Sequence, residues 1–128
     1  MHTPDVVMTP RHIGIVACSA EGAALCYRTI CVEGATILGQ HAHPEVTVHT
    51  HSLADYMACI YRDDWASVGE LMLASAQKLK AVGADFLICP DNTIHQALPW
   101  VWRCMQRPCT TPSRVLRAAN RVVVPCRL

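Results

Sequence analysis

The chain of 128 residues has no uninterrupted apolar run near the roughly 20 residues that a bilayer-spanning helix requires. Its opening, MHTPDVVMTPRHIGIVAC, has no basic segment leading into an apolar core, which argues against a secretory signal. None of the eight cysteines stands at CxxC spacing from another, so a zinc knuckle has no support. Acidic residues are missing from positions 100–128, which carry six Arg and no Lys. Residues 1–99 hold five Lys/Arg against ten Asp/Glu, a net charge of −5. The small overall charge of +1 therefore hides a sharp break near Pro99.

With these classes set aside, what remains is a globular chain, 52% hydrophobic and 16% charged, large enough for one hydrophobic core. Cys18, Cys26, Cys31, Cys59 and Cys89 lie within or at the ends of apolar segments, where cysteine acts as a small buried hydrophobe. A reduced, cytoplasmic compartment is the expectation. The tail arginines form no basic helix face and are interleaved with no aromatics beyond Trp100 and Trp102, so no nucleic-acid partner is expected. No membrane partner is expected either.

Along the chain, Arg11–Cys18 reads as a buried strand. An Ala-rich helix follows, with Ser19 as its N-cap, Gly39 as its stop and Leu25, Ile30, Ala35 and Leu38 along it; Gly22 and Gly34 weaken that reading. Val46 and Val48 alternate with Thr47 and His49, as in a strand. SLADYMACIY forms a short helix, and Asp63-Asp64 cap a longer one whose apolar positions recur at three and four residues up to Gly83. DFLIC is the third strand, with a further helix beginning near Thr93. This order predicts an α/β fold, a parallel sheet with flanking helices and right-handed crossovers. Only a weak helix at Ser113–Asn120 and an apolar run at Val122–Val124 emerge from an otherwise irregular tail.

Ligands in such sheets bind beyond the carboxyl ends of the strands. Those ends are Cys18-Ser19, His49-Thr50-His51-Ser52 and Pro90-Asp91-Asn92-Thr93, all polar or nucleophilic. A helix starting after Asp91 offers free N–H groups to a carboxylate or phosphate; equally, Asp91 or Asn92 is its N-cap and His95 a first-turn surface residue. Cys18 is either a thiol activated by a helix N-terminus or a small buried side chain. His41, His43, His49 and His51 form two HxH pairs, but no neighbouring carboxylate or cysteine completes a ligand set, so no metal is expected.

GADFLICPDNTIHQAL, IGIVACSAEGAALCYRTIC and VHTHSLADYMACIYRDDW, in this order, resemble the first half of the aspartate/glutamate racemase superfamily. The likeness runs from about His12 to Pro99. It implies one of the two domains of a racemase-like fold and a cofactor-independent amino-acid racemase, an isomerase that moves a proton at a substrate Cα. Inversion needs a base on one face of that carbon and an acid on the other. Carried over residue by residue, the resemblance puts Asp91 at the first catalytic cysteine, Asn92, Thr93 and His95 on the family's Asn, Thr and His, and Ser52 after the second strand's His. With Ser19, these are the expected binding groups for a small carboxylate or amino acid. The departure is Asp91 itself, since a carboxylate, with a reference pKa of roughly 4, is a weaker base than a thiolate, at roughly 8.5.

Residues 1–99 thus read as a racemase-like half-domain, and 100–128 as a basic, replaced or out-of-frame terminus. A lone half lacks the opposing acid, so weak or no racemisation is expected. The alternatives are a non-catalytic carboxylate-binding domain and a single-base relative such as a decarboxylase or cis–trans isomerase. An open half-domain should expose apolar surface and associate into homo-oligomers.

Overall fold

The computed structural model describes residues 9–105, 116–118 and 121–125. The fold is α/β. Three strands, β1 (Ile13–Ala17), β2 (Val46–Thr50) and β3 (Phe86–Cys89), form its parallel part, with β1 in the middle. Helix α1 (Ala20–Leu38) joins β1 to β2, and α2 (Leu53–Tyr61) and α3 (Trp65–Ala81) join β2 to β3.

The register follows from the alternation of each strand. On β1, Ile15 and Ala17 point to one face, where Ala23, Cys26 and Ile30 of α1 pack with Val46 and Ile88. Val16 and Cys18 point to the other, joining Tyr56, Met72, Leu79, Leu87 and Cys89. The chain steps from β1 out to β2 on one side, then back across to β3. Two crossovers of one hand, stepping in opposite directions, put their helices on opposite faces. That is the arrangement here.

The helices are bounded as their ends suggest. The Ser19 hydroxyl accepts from the Gly22 N–H at 3.1 Å, and Gly39 closes α1 at φ 107°. The Asp64 carboxylate accepts from the Ser67 N–H at 3.1 Å to start α3. The apolar side of α1 is narrower than its composition suggests. Leu25 is 65% and Ile37 72% exposed, and within α1 only Ala23 is buried; among the described residues α1 is the one helix packed on this face of the sheet.

Both interior glycines of α1 are explained by close approaches. A Cβ at Gly34 would lie 3.0 Å from the His43 Cβ, where the loop to β2 returns beneath the helix. A Cβ at Gly22 would lie 3.1 Å from both Asp91 carboxylate oxygens. The helix-propensity cost of about 1 kcal/mol per glycine is set against these contacts.

Beyond β3 the expected helix begins as a 3-10 turn, Thr93–Ala97, and continues as α4 (Leu98–Met105). Structure therefore runs straight through the charge break at Pro99. Two short strands are described within the tail. Strand β4 (Leu116–Ala118) pairs antiparallel with β5 (Arg121–Pro125), and β5 pairs antiparallel with β3, giving the order β2-β1-β3-β5-β4. Of the helix expected at Ser113–Asn120, the described part is Leu116–Ala118, and it is a strand. The apolar Val122–Val124 run lies in β5. Backbone pairing with an existing sheet edge outweighs weak local helix preference. The side chains of all six tail arginines, on which the nucleic-acid expectation turned, lie outside the described residues.

Gly14, on β1, supplies the tightest packing point. An added Cβ would meet Leu87 Cδ2 at 2.6 Å, Ala84 Cβ at 3.0 Å and Leu79 Cβ at 3.3 Å. The leucine tip can swing aside, but the two Cβ atoms are fixed to backbone. Gly14→Ala should cost about 1–3 kcal/mol, read as a lowered urea midpoint at unchanged m value.

Candidate functional site

The carboxyl ends of β1, β2 and β3 lie at one edge of the sheet, because the three strands are parallel and in register. At this edge the Asp91 side chain turns away from the helix it precedes and crosses to the start of α1. Its Oδ2 accepts from the Ser19 N–H at 2.9 Å and the Cys18 N–H at 3.3 Å. Its Oδ1 accepts from the Ser19 hydroxyl at 2.8 Å. The same hydroxyl accepts from the Gly22 N–H, so the end of α1 is relayed to the carboxylate through Ser19.

These contacts have a common physical cause. The first N–H groups of a helix lack intrahelical acceptors, and the aligned peptide dipoles favour negative charge there. Hydrogen bonds to a charged acceptor are among the stronger ones. Asp91 is thus a capping group, but for α1 across the sheet edge rather than for its own helix. Asn92 makes no side-chain cap bond and, with Thr93, is exposed.

The other expected residues are more scattered. Ser52, at the start of α2, is exposed and makes no side-chain cap bond. His95 folds back, its Nε2–H donating to the Cys89 carbonyl at 3.0 Å, and is not a free first-turn side chain. Only Ser19 and Asp91 of the six are brought into direct contact, while Asn92, Thr93 and Ser52 flank them on the same sheet edge.

Behind this edge lies a partly polar interior. Burial pushes the Cys18 thiol up to about 11, with the Asp91 charge adding to the effect. Burial likewise raises Cys89 to about 12, and its S–H donates weakly to the Asp91 carbonyl at 3.8 Å. Cys18 is placed as a small buried side chain, and burial favours the protonated thiol over the thiolate. His49 Nδ1 and the Ser75 hydroxyl share a hydrogen bond at 2.6 Å, and burial lowers the His49 pKa. His51 donates from Nε2 to the Leu71 carbonyl at 2.9 Å and stands edge-on to His49, with ring centroids 5.0 Å apart. Among the described residues, no three His, Cys, Asp or Glu side chains gather as a metal site. Nor is any helix among them long and apolar enough to cross a membrane.

Tyr56 of α2 is fully buried, and among the described residues its hydroxyl makes no hydrogen bond of full geometry. Burial carries this phenol well above the ordinary tyrosine range, with Cys18, Cys89 and Asp91 adding to the rise. The nearby Ser75 hydroxyl offsets it slightly without reaching hydrogen-bond geometry. Sequence reasoning missed three parts of this site: Gly22, Tyr56 and Ser75. Ser75 left a signal, a polar residue in the buried stripe Val68–Met72–Leu79. Tyr56 left none, since an aromatic on an apolar helix face reads as core.

No protein-family model and no curated protein matches this chain. The resemblance to aspartate/glutamate racemases rests on the motif residues themselves.

The two buried thiols set a pH dependence. A group whose pKa is raised by folding gives its full contribution below its unfolded value, here 9.0, and loses it as pH rises through about 11 for Cys18 and about 12 for Cys89. Urea midpoints should therefore fall above pH 9.0. The fall should be shallower in a Cys18→Ala/Cys89→Ala variant, whatever that variant's stability at neutral pH.

Proposed function

We propose that this chain is a racemase-like carboxylate-binding domain that does not, as a single chain, invert a substrate Cα. The observation that carries the reading is the engagement of Asp91. At the position where the resemblance implies the first base, the carboxylate accepts three hydrogen bonds from the β1–α1 turn. A carboxylate has about four acceptor positions, so little is left to take up a substrate proton. A base also needs freedom to approach its proton within hydrogen-bond reach, and this side chain is held on both oxygens.

Binding of a small carboxylate or amino acid is the part of the resemblance that the geometry supports. Asn92, Thr93 and Ser52 are exposed at the ligand edge, with hydroxyl and amide donors that no side-chain cap consumes. An amino acid would lay its carboxylate against the Asn92–Thr93 turn. Cofactor chemistry has no part in this proposal.

Incubating the protein with either enantiomer of aspartate or glutamate in heavy water, and following the Cα–H signal by proton NMR, is the direct test. The expected outcome is no exchange above the protein-free rate, together with amide shifts confined to Asn92, Thr93 and their neighbours. Exchange of the Cα proton would restore the isomerase reading. Absence of any shift with all four amino acids would remove carboxylate recognition.

A further inference from the structure

Among the described residues the edge strand β2 pairs along one side only, with β1. Its face toward α3 is fastened by two histidines that stand two residues apart and so share that face. His49 Nδ1 and the Ser75 hydroxyl lie 2.6 Å apart, and His51 Nε2–H donates to the Leu71 carbonyl at 2.9 Å. Ser75 is fully buried within α3, so its hydroxyl is shut off from bulk water. The two fastenings meet at one carbonyl. Leu71 stands four residues before Ser75, so its oxygen takes the helical Ser75 N–H with one lone pair and the His51 N–H with the other.

We infer that His49 and His51 form a proton-operated latch between β2 and α3, closed while His49 is neutral and released when its Nδ1 takes a proton. In the closed state the hydrogen of His49 is on Nε2, the Ser75 hydroxyl donates to Nδ1, and the Leu71 oxygen is left to His51. A proton on Nδ1 reverses the first bond, and the serine hydrogen must find another acceptor. A hydroxyl inside a helix turns to the carbonyl four residues back, here the Leu71 oxygen that His51 occupies. Ser75 then competes with His51, and both fastenings loosen together. The surroundings oppose the charge as well. Around His49 stand His51 on β2, Ser75 and Lys78 one turn apart on α3, the apolar Val16 beside it on β1 and, beyond His51, Tyr56 on α2. The charges acting on His49 come from Lys78 and His51, both of them bases. Burial, then Lys78 and His51, hold its pKa below the ordinary 6.5, so the latch is fully closed above 6.5 and opens as pH falls through the lower folded value. The latch stands whether or not the sheet edge binds a carboxylate.

The test is a histidine titration read beside local amide protection. Imidazole nitrogen shifts and native-state hydrogen exchange of the wild-type chain, His49→Gln and Ser75→Ala are followed by NMR between about pH 8 and about pH 5, where imidazoles titrate. In the wild-type chain the His51 Nε2 shift should move in step with protonation of His49, at a pH below 6.5. Over the same step, protection of Val46–Thr50 and of the Leu71–Ser75 turn should fall about tenfold relative to the β1–β3 pairs, a local opening and not global unfolding. His49→Gln, with nothing to titrate at that position, should keep its protection across the range. Ser75→Ala should titrate His49 without moving His51. Protection that stays level while wild-type His49 titrates overturns the inference, as does a His51 shift that ignores that step. These two readings need only the wild-type chain, so they decide the matter even where a variant does not fold. An equal loss of protection in His49→Gln, or a His51 that still follows His49 in Ser75→Ala, overturns it as well.

Discussion

The contact on which the rest of the site depends is the Asp91 carboxylate against the first turn of α1. It ties the loop after β3 to the turn after β1 across the sheet edge. It consumes the donors that a helix N-terminus would otherwise offer to an outside anion. It also sets the surroundings of Cys18, whose thiol is raised by burial and further by this charge. A cysteine at 91 would not supply two oxygens to these three donors, so one residue change alters the cap, the neighbouring thiol and the access to the helix end together.

The opposite end of the sheet is held by a comparable but purely architectural device. The His12 N–H donates to the Asp85 carboxylate at 2.7 Å, and the Asp85 N–H donates to the His12 carbonyl at 2.8 Å. The His12 ring shares a hydrogen bond with the Thr47 hydroxyl at 2.7 Å. Side chains thus pin all three parallel strands at this end, whereas Asp91 and Ser19 tie only β3 to β1 at the other. Between these ends the core is lopsided. Among the described residues, α2, α3 and α4 bury one face, whereas α1 alone covers the other, with its own Leu25, Val32 and Ile37 exposed.

Much of the fold was legible in the residues because local rules and tertiary packing agree. Val46–Thr50 alternates and is a strand; Val68, Met72, Ala76 and Leu79 recur at helical spacing and are buried. Ser19 and Gly39 bound α1 as their chemistry requires. The places where local reading failed are those where a distant segment decides. Gly22 and Gly34 look like defects in a helix until the Asp91 carboxylate and the His43 loop are seen against them. Leu116–Ala118 carries a weak helical pattern, yet it lies beside β5, itself on the open edge of β3. Tyr56 reads as one more core aromatic, because nothing in its neighbours along the chain reveals an unpaired hydroxyl.

By itself the sequence determined the order of strands and helices up to Pro99, the polar character of the three strand ends and the likeness of the Asp91-Asn92-Thr93-x-His95 turn to a racemase motif. These follow from periodicity, capping chemistry and residue identity, all of which act over a few positions. Only the tertiary structure decided what Asp91 does. Its partners, Cys18 and Ser19, are 73 and 72 residues away along the chain. Whether a carboxylate caps its own helix or another depends on which N-terminus the sheet brings within hydrogen-bond distance, and that distance is a property of strand register rather than of local sequence.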